Sequence, residues 1–255
     1  MIPCQYKEAT TFGSNGLAAV QDPETELYGY INEKGEEVIP FQYSEVNDFG
    51  DRDLAFVRPE DDGSMPLLGG YINGEGETVI PFEYVMGDYF ENGIAVVQRF
   101  TENGDLRYQL IDEKGEAITD LKYGYIGSFS EGLAPASAGE DVYEGRWRYI
   151  DQKGNEVFEV DSNWYDAYPC VNGLVCVCEN TTEKFAYGFA NTKGEDVIPR
   201  KYPRVPEGCG FYGGLAPVSD YEYDDDGGFY YIDQNGERAF DGEYFKAGNF
   251  MKMEL

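Results

Sequence analysis

A glycine closing a tight turn recurs at Gly35, Gly76, Gly115, Gly154, Gly194 and Gly236, at spacings of 41, 39, 39, 40 and 42 residues. A period near forty, held to the end of the chain, means one small supersecondary unit copied about six times. A unit that short cannot bury its own apolar face, so neighbouring copies have to stack.

Within each copy three segments read as strands. The first is a short apolar run after a glycine: Leu17-Ala18-Ala19-Val20, Leu54-Ala55-Phe56-Val57, Ile94-Ala95-Val96-Val97, Leu133-Ala134-Pro135-Ala136, Leu174-Val175-Cys176-Val177 and Leu215-Ala216-Pro217-Val218. The second alternates aromatic and β-branched residues, as in Tyr28 to Asn32 and Trp147 to Asp151, and ends on an Asx residue that opens the glycine-closed turn. That turn chemistry suits a type I turn followed by a residue with positive φ, so the acidic residue there belongs to the turn and not to catalysis. The third is a return strand carrying Val38-Ile39-Pro40, Val79-Ile80-Pro81, Ala117-Ile118, Val157-Phe158, Val197-Ile198-Pro199 or Ala239-Phe240. Its proline cannot donate to a ladder and marks an edge or a strand end. An aromatic tail follows, with pairs such as Tyr43 with Phe49, Tyr84 with Phe90, Tyr123 with Phe129, Tyr165 with Tyr168, Tyr202 with Phe211, and Tyr244 with Phe250, and with it a fourth short strand.

The expected fold is therefore all-β: a tandem array of about six β-meander units in one repeat domain spanning 1–255. The boundaries are a half-unit at 1–15 and units near 16–52, 53–92, 93–131, 132–172, 173–213 and 214–255. The aromatic rings are expected in the layer between units. The chain opens on a return strand, Ile2-Pro3-Cys4-Gln5-Tyr6, and ends after another, which favours an open curved array; a β-propeller-like ring is the alternative.

Lys and Arg number 19 against 49 Asp and Glu, a net charge of −30. Such a surface repels nucleic acid and anionic lipid, and a partner attracted to it would be basic. No apolar run reaches membrane-spanning length, and no basic cluster with an apolar segment opens the sequence as a signal peptide would. The five cysteines, Cys4, Cys170, Cys176, Cys178 and Cys209, follow no repeat. They read as buried free thiols, with Cys176 and Cys178 on one face of a strand, and favour a reducing, cytoplasmic setting over the cell surface.

Histidine is absent, which removes imidazole bases, imidazole metal ligands and every Ser-His or Cys-His nucleophile. No phosphate-binding loop or dinucleotide fingerprint occurs. The expectation is no enzyme, no catalytic residue, no metal and no cofactor, with the binding residues unassigned. Two acidic connections, Asp220-Tyr221-Glu222-Tyr223-Asp224-Asp225-Asp226-Gly227-Gly228 and the fainter Asp61-Asp62-Gly63, have oxygens that a calcium ion favours. They lack the spaced ligands of an EF-hand and read first as solvated loops.

The Gly-Leu-Ala-x-Val strand, the aromatic-Gly-Tyr-Ile-Asp hairpin with Lys-Gly at its tip, and Val-Ile-Pro-x-x-Tyr followed by Phe resemble the WG-repeat (KWG-like) family found widely in bacteria. Tyr28-Gly29 and Tyr187-Gly188 stand where that family has Trp-Gly, while Trp147-Arg148 and Tyr108-Gln109 have lost the glycine. The resemblance implies a binding or interaction module. A looser likeness links Gly228 to Gly236 with the aromatic hairpins of choline-binding-like cell-wall repeats and implies only a shared hairpin solution.

Three functions are then in competition. The first is a non-catalytic scaffold that binds a protein or peptide across the variable connections between the first two strands of each unit. The second is a carbohydrate or cell-envelope module, which needs exposed, clustered aromatics. The third is a carboxylate-based hydrolase, which needs a deep pocket with two acids about 5–10 Å apart and one of them shifted in pKa.

Overall fold

Each repeat is an antiparallel meander in which the tail of one copy pairs with the first strand of the next. The computed structural model describes residues 5–60, 63, 66–137, 147–160, 168–180, 184–223, 227–244 and 247. No helix occurs among them. The chain divides into two units, Met1–Lys122 and Tyr123–Leu255.

In the first unit the strands are β1 (Glu8–Ala9), β2 (Leu17–Gln21), β3 (Tyr28–Asn32), β4 (Glu37–Val46), β5 (Ala55–Pro59), β6 (Gly69–Ile72), β7 (Thr78–Tyr84), β8 (Met86–Gly87), β9 (Ile94–Phe100) and β10 (Leu106–Asp112). β1 to β7 form one sheet in sequence order, because β4 leaves β3 at Tyr43 and immediately pairs with β5 at Tyr43, Glu45 and Val46. The return strand of one repeat thus runs on into the tail that pairs with the opening strand of the next. β8, β9 and β10 make a second sheet.

The second unit holds β11 (Tyr125–Ile126), β12 (Leu133–Ser137), β13 (Trp147–Asp151), β14 (Glu156–Val160), β15 (Leu174–Asn180), β16 (Phe185–Asn191), β17 (Asp196–Tyr202), β18 (Ala216–Val218) and β19 (Tyr230–Ile232). They pair as sheets of four, three and two strands, again in sequence order.

The turn between the second and third strand of every repeat has one construction. The Asx carbonyl accepts from the glycine N–H three residues on, at 2.8–3.0 Å in all six copies. The Asx side-chain oxygen accepts from the backbone N–H groups two and four residues on, as Asn73 does from Glu75 (3.1 Å) and Glu77 (2.9 Å). The acidic and amide residues at this position are turn residues, as their spacing predicts. Asp holds the position at Asp112, Asp151 and Asp233 with the same bonds. Replacing Asn73 by Ala should therefore destabilise the first unit by about 1–2 kcal/mol. Asn73→Asp should stay within about 0.5 kcal/mol. Urea unfolding midpoints of the two variants measure the difference.

The turn glycine also touches the preceding repeat. A Cβ on Gly76, whose φ is +81°, would stand 3.2 Å from the side chain of Ile39, and one on Gly236 would stand 3.3 Å from that of Ile198. The period near forty is thus partly a contact distance, since the tips at Gly76, Gly115, Gly194 and Gly236 rest on the return strand of the copy before.

Between repeats lie the rings. Tyr30, Ile39, Tyr43 and Phe49 of the first repeat pack on Ala55, Val57 and Ile72 of the second. Phe56, Tyr71, Ile80, Tyr84 and Phe90 pack on Ala95, Val97 and Ile111. In the second unit Trp147, Tyr149 and Val160 meet Val175, Val177 and Ala190, and Phe189, Ile198 and Tyr202 meet Ala216, Val218 and Ile232. Large residues on one face meet small ones on the next, which lets sheets approach without voids. The central tyrosine of the second strand also donates to the tail: Tyr30 to the carbonyl of Asn47 (2.6 Å), Tyr71 to Asp88 (2.7 Å) and Tyr149 to Tyr168 (2.6 Å).

Tail phenylalanines meet that residue ring to ring: Tyr30 with Phe49 at 5.0 Å, Tyr71 with Phe90 at 4.9 Å and Phe189 with Phe211 at 4.7 Å. In the fourth repeat Cys170, three residues before Gly173 as Phe90 is before Gly93, holds the phenylalanine position. Tyr149 instead stacks on Phe158 at 4.8 Å. Tyr165 and Phe250, expected as tail aromatics, lie outside the described residues. Cys170, Cys176, Cys178 and Cys209 are buried and form no disulfide among the described residues.

Candidate functional site

The connections from first to second strand are the part of the repeat that varies. They run to six residues between β2 and β3, nine between β5 and β6, five between β9 and β10, nine between β12 and β13, four between β15 and β16, and eleven between β18 and β19. The Asx-to-Gly turns at the other end of the strands do not vary at all. Much of this variable set, namely 61–62, 64–65, 138–146, 181–183 and 224–226, lies outside the described residues. The acidic calcium candidates around Asp61-Asp62 and Asp224-Asp225-Asp226 fall there.

Two grooves are described, and they occupy the same place in two different repeats. The first, of about 290 Å³, is lined by Gln5, Tyr6, Asp22, Pro23, Glu24, Gly35, Glu37 and Phe41. The second, of about 560 Å³, is lined by Glu179, Asp196, Pro199 and Arg200. Strand register fixes the correspondence. Gln21 faces Tyr28 and Cys178 faces Tyr187, so Asp22 matches Glu179; Ile31 faces Glu37 and Ala190 faces Asp196. Phe41 and Arg200 both follow the Ile-Pro pair of their return strands.

In the first groove the rings of Tyr6 and Phe41 stack at 6.2 Å and 25° and rest on buried Ala18, Val20 and Ile31. Asp22 caps its own turn, accepting from the N–H and hydroxyl of Thr25 (2.7 and 3.0 Å) and from the N–H of Glu24 (3.0 Å). Those bonds, Thr25's backbone donor first, hold the Asp22 carboxyl below the ordinary range and keep it charged. In the second groove Arg200 pairs with Asp196 at 3.3 Å. Single-sequence reading did not find these grooves. The signal was the residue after Ile-Pro, which is Phe41, Phe82 and Arg200 in three copies.

The glycine of the second strand has a further role. A Cβ on Gly29, Gly70 or Gly188 would stand 2.7, 2.4 or 2.6 Å from the carbonyl oxygen of Ile39, Ile80 or Ile198. The return strand bulges across that glycine, and the pairing shifts register there. Where Arg148 replaces the glycine, Trp147, Arg148 and Tyr149 pair in unbroken register with Val160, Glu159 and Phe158, and β14 carries no proline. Small residue and Ile-Pro crossing occur together. A family model for the WG containing repeat matches residues 1–22, 28–61, 70–99 and 110–140.

The chain carries repeats of the WG family over residues 1–140. The sequence matches none of the curated proteins. Among solved structures, Hsv2 of Kluyveromyces lactis is similar at 11% identity, covering 86% of this chain and 71% of its own, with a TM-score of 0.45. An uncharacterized protein of Listeria monocytogenes is similar at 12% identity, covering 93% of this chain and 82% of its own, also with a TM-score of 0.45.

Exposed aromatics cluster in the sixth repeat, where Phe240 (38% exposed) and Tyr244 (42% exposed) contact Tyr231 at 5.6 and 6.1 Å. They stand at the positions of Ile39, Tyr43 and Tyr30, which pack repeat on repeat and are buried in the first copy. The cluster thus uses positions that, in the first copy, pack one repeat on the next. Asp88 is a carboxyl pushed upward, by burial first and by Glu91 second, and it lines neither groove.

Proposed function

We propose that this WG-repeat protein is a non-catalytic scaffold that binds a basic protein or peptide segment. The observation that carries the reading is the contrast between the two ends of the strands. Six turns are built identically, while the six connections opposite them run from four to eleven residues. A rigid frame carrying variable loops is how recognition surfaces are made. The charge of −30 and the acid-lined grooves make the complementary partner cationic.

Peptide-library selection on the full chain tests this. Enriched sequences should be rich in Lys and Arg. Their affinity should fall at least about tenfold between low salt and roughly 0.5 M, where charges are screened beyond about 4 Å. Enrichment of neutral sequences with salt-independent affinity would overturn the reading.

A further inference from the structure

The fourth and fifth repeats show what the groove carboxylate is matched to. Glu37, Glu156 and Asp196 hold the same return-strand position, opposite Ile31, Ile150 and Ala190. In the fourth repeat Arg148 from β13 meets Glu156 at 2.7 Å, and in the fifth Arg200 meets Asp196 at 3.3 Å. Two of the three carboxylates at this position are thus matched by the chain's own guanidinium. Glu37, the third, makes no ion pair among the described residues. Among the described residues no cationic one lines its groove, and the sequence position of Arg200 is held by Phe41, whose ring stacks on Tyr6.

We propose that the first-repeat groove binds an arginine side chain of a basic peptide, whose guanidinium pairs with Glu37 as Arg200 pairs with Asp196 in the fifth repeat. The planar guanidinium lies over the Tyr6 and Phe41 rings, as cation–π geometry favours, and donates to the Glu37 carboxylate. Asp22 and Glu24, which also line the groove, add attraction for a second positive charge along the peptide. The rings are fixed by the Ala18, Val20 and Ile31 floor, so little side-chain freedom is lost on binding. This inference rests on the scaffold reading above and names the chemistry of one of its subsites.

The test is titration calorimetry of the full chain with a capped tri-arginine peptide, with tri-citrulline of the same shape as the neutral control. One peptide should bind per chain, and tri-citrulline should not bind. Glu37→Gln should weaken binding about tenfold. Glu33→Gln, which removes the same charge from a turn tip outside the groove, should leave affinity unchanged. Arg200→Phe should free Asp196 and raise the stoichiometry from one to two. Equal losses in the Glu37 and Glu33 variants would overturn the groove assignment while leaving the scaffold reading in place; citrulline binding as tightly as arginine would overturn both. Failure of every basic peptide to bind at low salt would overturn both.

Discussion

Gly70→Ala should destabilise the first unit by about 3 kcal/mol, lowering its melting temperature on the order of 10 °C. The added methyl would sit 2.4 Å from the carbonyl oxygen of Ile80, 2.7 Å from that of Pro81 and 2.7 Å from the ring of Phe82. Two of those atoms are backbone, held by β6 pairing on one side and the Ile80 side chain in the core on the other. Neither can yield without lifting the bulge and pulling Ile80 from its contacts with Tyr71 and Ile111. Gly93→Ala is the matched control. Its φ of +80° is left-handed, yet nothing lies within 4 Å of the added Cβ, so only the backbone term of about 1–2 kcal/mol applies. Calorimetric melting of both variants measures the gap. Equal losses would mean that the glycine of the Trp-Gly signature serves conformation alone, and that the crossing of the return strand does not constrain it.

The frame was legible in the sequence because its signals repeat. Six Asx-x-x-Gly turns, the apolar first strand and the aromatic second strand each recur with fixed chemistry, and the structure places them in one meander. The fourth strand was the weakest element to read, since β1, β8 and β11 have two residues each, too few for alternation. Its turns held a usable sign in Asn92-Gly93 and Asn172-Gly173, which adopt left-handed conformations at both residues. Glu131-Gly132 uses the same geometry with no such sign. Glu131 is instead drawn toward the next repeat, where its carboxylate accepts from the N–H groups of Asn172 (2.8 Å) and Gly173 (2.7 Å). The grooves were hidden for another reason. They arise where two or three separate segments meet, and a carboxylate such as Glu37 looks like any of 49 acids until its register partners are known.

Raising the pH through about 10–12 should unfold the protein in one step, with tyrosinate absorbance and loss of near-ultraviolet circular dichroism changing together. Burial pushes the phenols of Tyr30, Tyr71 and Tyr149 well above their ordinary value, and burial first with Glu83 second pushes Tyr84 to about 12. An unfolded tyrosine ionises near pH 10. A folded-state value raised above that means the stability contributed is fully present below pH 10 and is lost as pH climbs toward the folded-state values. A phenol displaced by two units loses about 2.7 kcal/mol of stabilising free energy across its window. Several such groups acting together reach the whole stability of a typical domain, about 5–15 kcal/mol. Ionisation would also remove the proton that Tyr30 and Tyr71 donate to the carbonyls of Asn47 and Asp88, so the second strand loses its bond to the tail of its own repeat. The double variant Tyr30→Phe and Tyr71→Phe keeps both rings and removes both titrations, a replacement that Phe189 already makes in the fifth repeat. Its alkaline transition should move to higher pH at a small cost in neutral-pH stability. Smooth tyrosine titration near pH 10 with the circular dichroism retained would show that these hydroxyls are reached by water without unfolding, and that the rings are not the seal between WG repeats.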